Sequence, residues 1–103
     1  MKYRILRTDK ANDQLYDLIH YIADDSGDID TALRYLDKLE QSIMRLGEFP
    51  LSGTVPHYSS LKKRGYRVLI VERHLIFYKV DEAQCDVTIY AIVDARMEYK
   101  NLI

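Results

Sequence analysis

The 103-residue chain has no tryptophan, one cysteine, two prolines, four glycines and only three histidines. Each scarcity excludes something. A lone Cys85 cannot form an internal disulfide, which fits a reducing compartment. Its place between Gln84 and Asp86, beside a predicted turn, marks it as a bystander rather than a nucleophile. No stretch approaches the roughly 20 apolar residues that span a bilayer, so no membrane helix is expected. The opening "MKYRILRTDK" lacks the apolar segment and small-residue cleavage site of a signal peptide, and a cytoplasmic location is expected. His57 has no second ligand-type residue at metal spacing, and neither a phosphate-cradling glycine loop nor a nucleophile elbow occurs. Neither a metal nor a cofactor is expected.

Net charge is also scarce, at -1, but it is unevenly laid out. Residues 9–48 hold ten acidic against four basic side chains, and the remainder holds eleven basic against six acidic. Such an asymmetry points to a basic surface that meets a polyanion or an acidic partner, or to solvated helix faces beside scattered lysines. The length suits a single domain over residues 1–103, with no repeats or low-complexity tracts.

What is present is periodicity. Residues 2–7 alternate as a strand, and Thr8 or Asp9 is suited to cap a helix. Ala11, Leu15, Leu18, Ile19 and Ile22 then form one apolar stripe, broken at "DDSGD", where Gly27 suits a left-handed C-terminal cap. Asp28 caps a second helix whose apolar positions, Ile29, Ala32, Leu33, Leu36, Leu39, Ile43, Leu46 and Phe49, predict about six turns before Pro50 stops it. Residues 50–64 read as a loop. Strands follow at about 65–71, 75–80 and 86–93, apolar on both faces and so in need of cover on both. The helices can cover one face; the tail, or something outside the chain, must cover the other. The order β-α-α-β-β-β predicts an α+β domain, a two-helix hairpin packed on a small antiparallel sheet, with the first strand pairing beside the second or at the far edge.

"YRILRTDKANDQLYDLIHYIA", "FPLSG", "GYRVLIVERHLIFYKVD" and "IYAIVDARMEYKNLI" stand in the order found in one family. Over nearly its whole length the chain resembles the RelE/ParE toxins of bacterial type II toxin–antitoxin modules, nearer the ParE branch. The resemblance implies a cytoplasmic growth inhibitor of the kind associated with plasmid stabilization. Its partner would be a cognate antitoxin whose C-terminal segment wraps it in a hetero-oligomeric complex. It also implies one of two targets. ParE-like members bind and block DNA gyrase without chemistry of their own, whereas RelE-like members cut mRNA on the ribosome.

Metal-free RNA cleavage needs cations around the phosphate and a proton donor and acceptor nearby. Where RelE-like sequences carry two of those cations, this chain has Leu69 and Leu75. Arg67 and Arg96 remain at matching places, and Tyr99 could serve as the tail aromatic; these three are the ribonuclease candidates. Arg73 and His74 are expected at a hairpin tip, a poor support for a phosphate clamp. Gyrase inhibition by binding is therefore the leading expectation. The alternatives are an mRNA endonuclease or a degenerate toxin that only binds its antitoxin. The expected contact residues for target or antitoxin are Lys62, Lys63, Arg64, Arg67, Arg73, His74, Arg96 and Tyr99. Arg67 could instead pair with Asp94 or Glu98. Tyr66, Tyr78 and Tyr90 are expected to pack with their hydroxyls in water.

Overall fold

The structure, a computed structural model, describes residues 2–97, 99, 101 and 103. Strand β1 (Arg4–Arg7) leads into helix α1 (Asp9–Ser26) and helix α2 (Ile29–Met44). A 3₁₀ turn (Arg45–Gly47), a short helix α3 (Ser59–Lys63) and strands β2 (Arg67–Val71), β3 (His74–Asp81) and β4 (Asp86–Asp94) follow. Among the described residues no helix is long and apolar enough to cross a membrane.

Both helix starts are capped as the sequence predicts. The Thr8 hydroxyl accepts from the Ala11 N–H at 3.1 Å, and an Asp28 carboxylate oxygen accepts from the Asp30 N–H at 3.0 Å. Gly27 ends α1 at φ 68°, a conformation glycine adopts without a Cβ clash. The apolar stripe of α1 buries Ala11, Leu15 and Ile19.

α2 is shorter than its periodicity predicts. It stops at Met44, and Ile29, Leu33 and Phe49 are exposed. The 3₁₀ turn brings Leu46 fully into the core and sets the Gly47 carbonyl 2.7 Å from the Tyr3 N–H. Continuing the helix would lose that tie to the strand end.

The sheet order is β1-β4-β3-β2. β3 runs antiparallel to both β2 and β4, as short hairpin connections require, while β1 lies at the far edge and runs parallel to β4. The sheet is thus mixed: turns set the antiparallel pairs, but β1 meets a partner 82 residues away. A register shift opposite Phe77 and Tyr78 leaves Tyr90 as the extra residue of a bulge in β4.

Each sheet face has its own core. On one, Ile76, Tyr78, Val87, Ile89 and Ile92 pack with the buried stripes of α1 and α2. On the other, Val68, Phe77, Ala91 and Val93 are covered by Leu61 of α3 and by Tyr58, Tyr99 and Ile103. The tail does close the second face, and the expected loop at 50–64 contains the helix that helps it. Little bare apolar sheet is therefore left there for an outside partner.

Candidate functional site

The eight expected contact residues do not form one cluster. They fall in three places, each explained by its local chemistry.

The first is a knot beneath the "FPLSG" loop. The Tyr78 hydroxyl donates to the Pro50 carbonyl and accepts from the Gly53 N–H, both at 2.9 Å. A Cβ on Gly53 would lie 2.5 Å from that hydroxyl oxygen, so only glycine fits. Arg67 lies opposite Tyr78 in the ladder, and its Nη1 donates to the Gly53 carbonyl at 2.8 Å. The expected pairing of Arg67 with Asp94 is not made: the two residues sit about four positions apart along the ladder, on the order of 13 Å. Glu98 lies outside the described residues. The hydroxyl of Tyr78 is bonded inside the protein rather than wet. "FPLSG", "GYR" and "IFY" therefore meet as one structural unit.

The second place is a groove of about 1000 Å³ between α1, the start of α2, the tip of the β2–β3 hairpin and the end of β4. β1 pairs only as far as Ile89, so beyond it the edge of β4 faces α1, where the Gln14 side chain accepts from the Ile92 N–H at 2.8 Å. Leu18, Ile22, Tyr35 and Ile92 give the groove an apolar lining, with Tyr21 and Met97 exposed at its lips. Asp17 and Asp25 lie on the α1 side, and Arg73 and Arg96 on the opposite side.

His74 is not at the hairpin tip, as expected, but begins β3. Glu72 and Arg73 make the turn, with Glu72 at φ 52°. Its imidazole is buried, with Nδ1 2.6 Å from the Tyr35 hydroxyl. The single hydroxyl proton is placed toward the Val71 carbonyl at 3.1 Å, an arrangement in which Nδ1 is the donor of the His74–Tyr35 bond. Burial lowers the His74 pKa, and burial raises that of Tyr35 to about 12. Arg96 is held by Asp94 through its backbone N–H, Nε and Nη2, at 2.8, 3.1 and 2.8 Å. The Arg96 side chain, above all, draws the Asp94 carboxyl well below its usual range.

The third place is the second sheet face. Tyr99 packs against Phe77 with its ring tilted and meets Tyr58 edge-on, each at 5.5 Å between ring centroids. Burial raises its pKa, away from any role as a base near neutrality. Lys62, Lys63 and Arg64 are exposed along and just beyond α3.

The three ribonuclease candidates are consequently separated. Arg67 faces the helices and holds a loop, Arg96 is occupied by Asp94, and Tyr99 lies on the opposite face. Leu69 packs with the first core and Leu75 with the second. Among the described residues no group of three His, Cys, Asp or Glu side chains is placed to hold a metal. The sequence reading missed Tyr35 and Lys79; the alternation of β3 puts His74 and Lys79 on opposite faces, but α2 carries no sign that Tyr35 reaches His74.

A helical hairpin on one face, a tail strapped over the other and an apolar groove at the open end define a RelE/ParE-like α+β toxin fold. The family model of the ParE toxin of the type II toxin–antitoxin system parDE matches residues 5–99, and the chain belongs to that family. Two solved structures share the fold. The chromosomal ParDE toxin–antitoxin system of P. aeruginosa aligns with a TM-score of 0.75 at 16% identity, over 92% of this chain and 98% of that one. The RelBE2 toxin–antitoxin complex of Mycobacterium tuberculosis aligns with a TM-score of 0.69 at 18% identity, over 91% and 99%. Among curated protein sequences none matches significantly.

Proposed function

We propose that this toxin acts by binding, in the ParE manner, blocking DNA gyrase in the cytoplasm without a reaction of its own. One observation carries the reading. Arg67 and Arg96, which RNA cleavage would require, are each engaged by the protein's own oxygens, and Tyr99 is stacked on the other sheet face. Freeing Arg67 from its part-buried, charge-assisted bond to the Gly53 carbonyl costs about 1.5–3 kcal/mol before it can meet a phosphate.

The groove suits a cognate antitoxin. Its apolar lining and exposed lips fit one face of an amphipathic segment, disordered when free and folding as it docks. Docking there would cover Arg73 and Arg96 as well as the lining, so neutralisation and target contact would compete for the same rim.

The test pairs primer extension on translated mRNA, after induction of this chain, with a supercoiling assay on purified gyrase. Intact mRNA with lost supercoiling supports the proposal. New codon-positioned 5′ ends with normal supercoiling would establish the mRNA endonuclease instead, with Arg67 and Arg96 released on the ribosome. No change in either would leave a degenerate toxin that only binds its antitoxin.

A further inference from the structure

On the second sheet face, away from the groove, two cations lie on two tyrosine rings and two more stand on the neighbouring α3. The bulge in β4 places Tyr90 with its ring edge-on to Tyr66, 5.5 Å between centroids. Lys79 lays its ammonium 4.5 Å from the Tyr66 centroid and 5.2 Å from that of Tyr90. The Arg64 guanidinium lies 5.2 Å from the Tyr66 ring. α3, anchored on the same face by buried Leu61, carries Lys62 and Lys63 alongside. Among the described residues the ion pairs are made by Arg4, Arg7, Lys38 and Arg96, and none of these four cations is in one. In a chain of net charge -1, two cations held on aromatic rings with two exposed lysines beside them, none of the four in an ion pair among the described residues, form a positive surface.

We infer that the Arg64–Tyr66–Lys79–Tyr90 surface, with Lys62 and Lys63, grips the phosphate backbone of duplex DNA. The ring faces point to a duplex. Tyr66 is only 6% exposed and carries cations over its ring, so it offers no free platform for unpaired bases. For an acidic peptide the buried Tyr66 ring, already carrying two cations, offers no surface to an anchoring side chain. A duplex needs neither, since it presents about one charge per 1.7 Å of its axis to any rigid set of cations. The choice of DNA over RNA rests on the gyrase reading above, in which the target itself holds a duplex.

The experiment is fluorescence anisotropy of the purified full chain with a labelled duplex between 50 and 200 mM KCl. The expected log–log salt slope is about -3.6, from four displaced counterions. Arg64→Gln with Lys79→Gln should flatten it by roughly two units. So should Lys62→Gln with Lys63→Gln, whose exposed positions leave folding intact if the first pair disturbs the rings. Unchanged slopes in both variants, or tighter binding to the single strand, would overturn the inference. Preference for polyglutamate over the duplex would do so too and reassign the surface to an acidic protein. Supercoiling is measured separately. Gyrase inhibition without duplex binding removes this inference alone, and duplex binding without gyrase inhibition removes the proposed target alone.

Discussion

Tyr78 holds the loop that the sequence marks only by Pro50 and Gly53. Replacing it with phenylalanine leaves the buried Gly53 N–H and the Pro50 carbonyl without their partner. A loss of about 1–3 kcal/mol in urea unfolding is expected. Gly53→Ala should do comparable damage for a different reason, overpacking against Tyr78 and the Val68 carbonyl, at about 1–3 kcal/mol. Arg67→Ala should lower stability as well, by about 1.5–3 kcal/mol, because Gly53 loses a charged donor. An Arg67→Ala variant of unchanged stability that had lost an RNA-cutting activity would contradict this structural role. His74 supplies a pH dependence. Burial holds its folded pKa below the ordinary 6.5, so the unfolded chain takes up the proton first as pH falls. Stability from this group is full above 6.5 and is lost as pH falls through the folded pKa. The urea midpoint should therefore drop between pH 7 and 5, and less steeply in His74→Gln.

At the scale of elements, the tail behaves as part of the core. Tyr99 and Ile103 reach back over Phe77 and its neighbours, from a chain that leaves β4 through the Asp94–Arg96 contact. Tyr99→Ala removes a ring packed against Phe77 and edge-on to Tyr58, and a loss of about 3–5 kcal/mol is the upper expectation for a half-buried aromatic. The matching signal is new binding of a hydrophobic dye at the uncovered face. Stability lost without dye binding would mean that another segment closes over Phe77. The capped helix starts and the α1 stripe were legible because they depend on neighbours three or four residues away. The early end of α2 was not, since it is set by the contact between Gly47 and Tyr3.

Across the whole molecule, groove and basic surface lie on opposite sides of the sheet, so a variant at one can be made without touching the other. Tyr21→Glu with Met97→Glu changes only exposed lips of the groove. It should weaken antitoxin binding at least tenfold in a titration while leaving the thermal midpoint unmoved. An unchanged affinity would place the antitoxin elsewhere. Cations in one sequence region serve three ends here: Arg67 ties a loop, Arg73 borders the groove, and Arg64 sits on a tyrosine.

By itself the sequence determined the strands, the starts of the two long helices, the α+β order and the family, because these follow from periodicity, caps and the succession of short motifs along the chain. It also determined that both sheet faces needed cover. Only the tertiary structure decided which strand β1 joins, that Arg67 and Tyr99 part to opposite faces, and that Tyr35 meets His74. Those outcomes depend on contacts between residues dozens of positions apart. No local propensity encodes such a contact; it exists only once packing has brought the two surfaces together.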